Sequence, residues 1–466
     1  MKIYSNITNE KFHECSHAHK YNKLLFSLSW FHSILIERRK FKSLGFNVPY
    51  DFNDSDFSIC HDLVIILLDE YPDPTPFEAL RYLIGEVNYG GRVTDTWDQR
   101  LVNVYLDHFF CEQALDQENF KLSDLPDYYI PSKYDDLDSY LGYIKKLPSV
   151  DHPAAFGQNT NAEISCQIED TNDLIQSIIS LQPDLIVSNS ESSDNLIDRQ
   201  LAMLQEQVPA PFDLKTVKSS IRAKSDPEAL KTVLIQEIAR YNSLLLDINN
   251  DLTELGKATK GMTMMTPHLE KILTSINSFK VPDLWSTLYP SLKPLGSWMR
   301  DLNLRIKQLR DWVNGSVPSV FWLSGFTFPT GFLTAVLQCT ARKNGIAIDT
   351  LSWEFSVISK PVDEITEGPE EGVYVKGIFI EGARWDNVAQ SLAEPLPMEL
   401  ISNMPIIHFK PIEGKKKSSK NMFVCPLYMY PVRSTSFVLA IELKCGDVPS
   451  QHWVKRGTAL LLSTYD

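Results

Sequence analysis

This chain of 466 residues has fewer basic than acidic residues, and it lacks closely spaced cysteine pairs. It has 45 Lys and Arg against 59 Asp and Glu, which gives a net charge of −14. This balance excludes general binding to nucleic acid or to anionic membranes, since both need a basic face. Seven cysteines without a CxxC pair exclude a dense disulfide framework, so we expect reduced thiols in a cytoplasmic compartment.

Phosphate-binding and nucleophile motifs are also lacking. The sequence contains no GxxxxGK[ST] loop, no GxSxG elbow and no glycine-rich dinucleotide fingerprint. Residues 63–70 imitate a Walker B strand, whose last Asp and Glu would serve Mg²⁺ and water, but that chemistry needs the missing phosphate loop. We interpret them instead as a helix that ends before Pro72. We therefore expect no catalytic residue, no cofactor and no metal in this protein.

Charge is absent from one long stretch, residues 312–341. A transmembrane helix needs about 20 predominantly apolar residues. This stretch is interrupted by Pro318, Pro329 and several glycines, so we expect a strand-like run, a turn and a buried helix rather than a membrane span. The polar first residues likewise predict no signal peptide.

Apolar residues recur at helical spacing through most of the first 310 residues. Asp95 is placed to cap a helix that starts at Thr96, with Asp98 in its first turn. The charged run 37–40 is expected to close the first helix. This first helix covers residues 20–40. Further helices are predicted over residues 61–70, 226–255 and 294–313.

Short runs of β-branched and aromatic residues replace the helical pattern after about residue 350. Glycine and proline separate them, which predicts a small antiparallel barrel or sandwich. Pro426 and Pro431 are expected at edges or bends, because proline has no ladder donor. The fold class is thus α+β and multidomain, mostly helical in its N-terminal two-thirds. The predicted strands lie in GVYVKGIFIEG, PIIHFKPI, FVCPLYMYPV, SFVLAIEL and GTALLLS.

One histidine-rich cluster, His13, Cys15, His17 and His19, is a candidate for zinc binding. Structural zinc sites take four ligands, usually at CxxC or HxxxH spacings. Alternating residues share a side only on a strand, and this segment leads into a helix. We therefore expect no built metal site here.

Several segments together resemble the C-terminal end of dynein heavy chains, axonemal type. They keep the family's order through nearly the whole sequence. The resemblance implies the end of the sixth AAA+ module, then a C-terminal domain with a helical layer and a β-barrel. The segments begin at Glu37 (ERRKFKSLGFNVPYDFNDSD), Ala79 (ALRYLIGEVNYGGRVTDTWDQR), Pro318 (PSVFWLSGFTFPTGFLTAVLQCTARKNGIAIDTLSWEF), Gly372 (GVYVKGIFIEGARWD) and His452 (HWVKRGTALLLS).

Arg92, Asp95, Asp98 and Arg100 surround a glycine turn. In a ring ATPase, an arginine here could sense nucleotide at a neighbouring module. The alternative is a capping and packing network where the ATPase module meets the C-terminal domain, and we favour it. We hypothesise that this turn transmits strain between the two domains.

A dense basic run is formed by Lys415, Lys416, Lys417 and Lys420. One interpretation is a contact for an acidic partner such as a tubulin tail. The other, which we favour, is a solvated hairpin tip between two strands.

The resemblance implies a non-catalytic part of a minus-end-directed microtubule motor of cilia and flagella, which packs on the AAA+ ring and regulates it. The full-length motor would use ATP and magnesium. Its implied partners are the other AAA+ modules, dynein intermediate and light chains, and microtubules, with no nucleic acid or membrane. The alternative is a module that docks other dynein subunits or axonemal scaffold proteins. The expected domains are 1–125 (end of the AAA+ module), 126–355 (helical layer) and 356–466 (barrel).

Overall fold

The computed structural model describes residues 4, 7–131, 136–180, 191–289, 291–414, 421–433 and 435–464. Helices dominate up to residue 344, and strands dominate after residue 350. A continuous apolar core extends from Tyr4 in the N-terminal helices to Leu462 beside the last strand. The α+β class predicted from the sequence is therefore confirmed.

The helices are α1 Asn9–Phe12, α2 Ala18–Arg38, α3 Lys42–Gly45, α4 Asp54–Glu70, α5 Phe77–Tyr82, α6 Thr96–Phe109, α7 Glu112–Asp116, α8 Leu137–Ile144, α9 Thr160–Ser180, α10 Glu191–Gln207, α11 Leu214–Ala223, α12 Glu228–Thr259, α13 Pro267–Asn277, α14 Leu295–Asn314, α15 Pro329–Asn344 and α16 Ser450–Lys455. The strands are β1 Val320–Trp322, β2 Leu351–Ile358, β3 Val373–Lys376, β4 Phe379–Glu381, β5 Arg384–Asp386, β6 Ser391–Ala393, β7 Ile401–Asn403, β8 Ile406–Glu413, β9 Met422–Tyr428, β10 Phe437–Lys444 and β11 Ala459–Leu461.

The N-terminal helices are positioned by local signals in the sequence. Asn53 begins α4 with a capping box, in which its side chain accepts from the backbone of Asp56 and the Asp56 carboxylate accepts from the backbone of Asn53. Asp95 caps α6 as predicted. Helix α2 runs through the middle of these helices and buries residues on nearly all of its sides. The N-terminal helices therefore form a rigid frame, and the loops between them can present functional groups.

The helical layer is centred on α12, which packs on α14 and on α15. Arg305 of α14 is buried, and its Nε donates to the Asp301 carboxylate at 2.6 Å. The same guanidinium lies 4.2 Å from the ring centroid of Tyr289 and donates to the hydroxyl of Tyr241 at 3.3 Å. The buried charge is tolerated here because it is paired with Asp301 and also hydrogen-bonded to Tyr241.

The strands form two open mixed sheets and a hairpin. One sheet has the order β1-β3-β8-β2, the second has the order β10-β9-β11-β4-β7, and β5 pairs with β6. The pairs β1–β3 and β9–β11 are parallel. The expectation of an antiparallel barrel is therefore wrong, and no closed barrel occurs among the described strands. Parallel neighbours need a crossover connection, and here α15 with β2, and β10 with α16, supply it.

Pro426 corrects a second expectation. It lies within β9, which is flanked by β10 and β11 and is not an edge strand. The short strand β11 reaches only Leu427 and Tyr428 of β9 in its register. No ladder bond to β11 is required at Pro426, so its missing donor is tolerated there.

The uncharged stretch 312–341 contains the end of α14, then β1, a turn and most of α15, as its pattern predicts. None of the described helices combines the length and the apolar character that crossing a membrane requires. All seven cysteines are free thiols.

Candidate functional site

The start of α6 lies where the N-terminal helices meet the second sheet. The Asp95 carboxylate accepts from the backbone N–H groups of Trp97 at 2.9 Å and Asp98 at 3.0 Å. The Asn47 amide donates both to Asp95, at 3.1 Å, and to the hydroxyl of Tyr428 on β9, at 2.9 Å. The helix cap is therefore linked to the sheet through one side chain.

Asp98 is a buried carboxylate, 3% exposed. It accepts from the backbone N–H groups of Asn47 at 2.9 Å and Val48 at 3.1 Å, and from the Tyr50 hydroxyl at 3.0 Å. Burial raises the pKa of Asp98 to about 6, although these donors favour its ionised form. The carboxylate thus holds the loop that precedes α4 against the first turn of α6.

Arg100 reaches from α6 to the sheet itself. Its guanidinium donates to the backbone carbonyl of Val424 on β9 at 2.8 Å. The guanidinium carbon lies 4.5 Å from the ring centroid of Trp97 and 5.1 Å from that of Phe423. Burial lowers the pKa of Arg100, while the two aromatic faces attract its charge.

Arg92 points away from this contact. Its Nε lies 2.9 Å from the carboxylate of Asp56, which is buried in the first turn of α4. The structure therefore brings Asp95, Asp98 and Arg100 together beside β9, and places Arg92 in a pair within the N-terminal helices.

Arg38, which was predicted to lie in the charged end of the first helix, is fully buried at this contact, at 0% exposed. Its guanidinium makes five hydrogen bonds to protein oxygens. One acceptor, the carbonyl of Lys455, belongs to α16. The others are the carbonyls of Leu44 (3.1 Å), Gly45 (3.1 Å) and Phe156 (2.7 Å) and the hydroxyl of Tyr105 (3.0 Å).

Helical periodicity contains the signal that would have located Arg38. It follows Phe31, Ile34 and Leu35 at spacings of seven, four and three residues, and all three are buried. Residues at these spacings share one face of a helix. Because residues 37–40 are all charged, Arg38 was not predicted to lie on the core face of the helix.

Backbones approach closely beside Arg38. Gly457, just after α16, has a φ of +66°, and a Cβ built on it would lie 2.2 Å from the carbonyl oxygen of Leu44. Gln158 donates to the carbonyls of Leu44 at 2.7 Å and Lys455 at 3.2 Å. We call this contact the join: Arg38, Asn47 and Arg100 on one side, and Val424, Tyr428 and Lys455 on the other.

Two family models divide the protein between the two sides of the join. The AAA lid domain of the dynein heavy chain matches residues 21–162, and the C-terminal domain of the dynein heavy chain matches residues 168–462. The protein belongs to the dynein heavy chain family. The join thus connects the dynein lid with the dynein C-terminal domain.

Similar proteins include the dynein-1-beta heavy chain of the flagellar inner arm I1 complex of Chlamydomonas reinhardtii, 49% identical over 99% of this sequence. Dynein axonemal heavy chain 2 of Mus musculus is 46% identical, and dynein axonemal heavy chain 1 of Rattus norvegicus is 41% identical, each over 99% of this sequence. The sequence spans about 10% of the length of each of these relatives.

Residues 63–70, which imitate a Walker B strand in the sequence, lie on a helix of the dynein lid. Helix α4 ends at Glu70, as predicted, and Asp69 accepts from the backbone N–H of Ser16 at 3.2 Å and from the hydroxyl of the same residue. The thiol of Cys15 lies 3.5 Å from the same carboxylate. Asp69 is therefore engaged with the segment before α2.

The remaining candidate groups give no assembled site. The Cys15 thiol contacts the carboxylate of Asp69, and within the described ranges, which include His13, His17 and His19, no three His, Cys, Asp or Glu side chains gather as a metal site requires. The basic run Lys415, Lys416, Lys417 and Lys420 lies outside the described residues.

Proposed function

We propose that this protein is the non-catalytic C-terminal part of an axonemal dynein heavy chain. In the proposed full-length motor, other AAA+ modules hydrolyse ATP with Mg²⁺ and drive movement toward microtubule minus ends in cilia and flagella. The observation that carries the proposal is the similarity, over 99% of the sequence, to axonemal heavy chains. The proposed domains are 1–125, 126–355 and 356–466, and the sheets of the last also include β1 and β2, which begin before residue 356.

The lack of a phosphate loop in the sequence supports a non-catalytic role, because a Walker B carboxylate without it has no phosphate to serve. The hydrogen bonds from Ser16 to Asp69 agree with a structural use of that carboxylate. Calorimetry with Mg-ATP on this protein tests the point. We expect no heat of binding, and saturable micromolar binding would overturn the proposal.

An apolar stripe on α9 supports packing against the rest of the heavy chain. Ile168, Leu174, Ile175 and Ile178 are all about half exposed on this helix of the C-terminal domain. Contiguous exposed apolar side chains mark interaction surfaces. We propose that they are covered by the AAA+ modules of the same heavy chain, since about nine-tenths of the length of the relatives lies outside this sequence.

The join supports a regulatory role. Arg38, Asn47 and Arg100 bond across it to β9 and α16, so a displacement of the lid displaces the sheets as well. Packed interfaces of this kind transmit motion as rigid bodies rather than by continuous deformation. We propose that the C-terminal domain biases ring movement through Asp95, Asp98 and Arg100.

Two arginines, one in the glycine turn and one in α6, give a matched test in the full-length heavy chain. Arg100→Gln breaks a contact across the join, whereas Arg92→Gln breaks one inside the lid. We expect Arg100→Gln to change microtubule gliding velocity and ATPase rate by roughly two- to tenfold, and Arg92→Gln to change them less. Equal effects of the two variants, or none, would contradict coupling through the join.

The proposed partners are the other AAA+ modules, and, through the full-length protein, dynein intermediate and light chains and microtubules. The proposed location is the axoneme. The docking alternative is less well supported, because the similarity runs through the lid as well as the C-terminal domain. A pull-down with this protein that captures an intermediate or light chain specifically would favour docking.

A further inference from the structure

Lys42 has a strained backbone. It is the first residue of α3, with φ 46° and ψ −125°. Side chains with a Cβ rarely adopt this conformation, which suits glycine. Such strain persists where the surrounding structure imposes it, and it is found at positions with a specific task. The contacts of the Lys42 side chain indicate what this task is.

The Lys42 ammonium is surrounded by three carboxylates of α9. Its nitrogen lies 3.3 Å from Glu169, 3.2 Å from Asp170 and 3.1 Å from Asp173. One helical turn earlier, the thiol of Cys166 donates to the carbonyl of Lys40 at 2.7 Å. We call Lys42 with the three carboxylates the latch. It fastens the first helix of the C-terminal domain to the lid.

The latch and the apolar stripe lie on opposite sides of α9. Successive residues turn by about 100° in an α-helix. Residues 166, 169, 170 and 173 thus share the face that meets the lid, whereas residues 168, 174, 175 and 178 fall on the other face. The stripe is exposed because the latch holds the charged face inward.

Without Lys42, the same three carboxylates would repel one another. Glu169 and Asp173 are four residues apart on α9, and Asp170 adjoins them, so like charges lie on neighbouring turns. One ammonium relieves this repulsion and attracts the helix to the lid. Loss of the Lys42 ammonium therefore releases this part of α9 from the lid and leaves its three carboxylates repelling one another.

We propose that Lys42 is the positioning residue that sets the direction in which α9 leaves the lid. It presents the stripe for docking, and this use of the stripe rests on the proposed function. The strained backbone and the converging carboxylates are independent observations, and both are explained by retention of a cation at this position.

Hydrogen exchange in this protein tests the proposal. Lys42→Gln removes the cation, and Lys42→Gly also relieves the strain. We expect both variants to accelerate exchange in peptides from α9 by roughly fivefold or more, with no change in peptides from α6. In wild type, raising NaCl from about 0.05 to about 0.5 M should also accelerate exchange in α9, but by less, because salt screens both the attraction to Lys42 and the repulsion among the carboxylates.

Lys40→Gln is the matched control, because Lys40 is an exposed lysine that pairs only with Glu37 among the described ion pairs. It should leave α9 exchange unchanged. The charge-swapped double variant, Lys42→Asp with Asp173→Lys, should slow exchange relative to Lys42→Asp alone. Unchanged α9 exchange in both Lys42 variants, or equal acceleration by Lys40→Gln, would overturn the proposal. The exchange is measured without the motor, so this outcome is separate from failure of the proposed function.

Discussion

Two of the contacts between the lid and the C-terminal domain, the join and the latch, differ in their physics. At the join, Arg38 is buried and makes its hydrogen bonds to backbone carbonyls and a tyrosine hydroxyl. At the latch, Lys42 is about one-third exposed and is held by carboxylates, two of which are largely exposed. The join is buried and depends on directional hydrogen bonds, whereas the latch is partly exposed to solvent and depends on the attraction between charges.

The difference shows how one pair of domains can be both firmly attached and adjustable. Hydrogen bonds to a buried cation are barely screened, and breaking them leaves polar groups without partners. Exposed ion pairs contribute little each and weaken with salt. The join therefore sets where the C-terminal domain sits, and the latch sets where its first helix points.

The largest effect is expected from breaking the join at its centre. Arg38→Met keeps most of the buried volume but removes all five donated hydrogen bonds. We expect the unfolding free energy to fall by about 3–5 kcal/mol, since carbonyls at the site would be left without donors. Urea denaturation measures this. Arg39→Met, at an exposed neighbour that pairs with Asp51, should change it by less than about 0.5 kcal/mol.

A smaller but still large effect is expected from separating the backbones at the join. Gly457→Ala places a methyl group against the Leu44 carbonyl at a positive φ. We expect a loss of about 2–3 kcal/mol. Gly261→Ala is the matched control, because Gly261 has a similar φ of +71° but no heavy atom within 4 Å of the added Cβ. It should cost about 1 kcal/mol. Equal losses would mean that the close approach is unimportant.

The charge state of Asp98 gives a third test. Its folded pKa is raised to about 6, above the ordinary value of 3.8 for an aspartate. The folded state therefore binds more protons between about pH 4 and 6, and stability is lost as pH rises through that window. Wild type should lose on the order of 2 kcal/mol relative to Asp98→Asn between pH 4 and 7.

Asp386 should behave in the opposite way. The backbone N–H groups of Ala389 and Val388 lower the pKa of Asp386, so its contribution is lost as pH falls. Urea titrations at several pH values compare the two. A wild-type advantage over Asp98→Asn that grows with pH would contradict burial as the dominant effect on Asp98.

The smallest effect on global stability is expected at the latch. Lys42→Gln should lower the unfolding free energy by less than about 1 kcal/mol at low salt, and by almost nothing at about 0.5 M NaCl. The salt dependence is measured by urea denaturation of both proteins. A loss as large as that of Arg38→Met would abolish the contrast between the two contacts.

Local signals predicted much of the secondary structure. The cap at Asp95, the end of α4 before Pro72 and the strands after residue 350 follow from neighbouring residues alone. The strand pattern did not reveal how the strands pair, because alternation is the same in parallel and antiparallel neighbours. The crossovers through α15 and α16 decide that, and they produce open mixed sheets.

The join was predicted only in part. Arg92, Asp95, Asp98 and Arg100 were identified as charged residues around a glycine turn, and the coupling role stays a prediction; Arg92 pairs with Asp56 outside the join. Arg38 was missed because charge outweighed periodicity in the interpretation of residues 37–40. Its partners, such as Lys455, lie far along the sequence, so no local pattern indicates them. The latch was missed for the same reason.

The bond from Arg38 to Lys455 also bears on how the protein is made. It joins residues 417 positions apart, so the lid acquires its last acceptor only after α16 has been synthesised. Domains otherwise tend to fold as they emerge, N-terminal parts first. Until then the Arg38 guanidinium lacks one of its five acceptors. We therefore expect a heavy chain that ends before α16 to lose stability at Arg38, more than 400 residues upstream of the break.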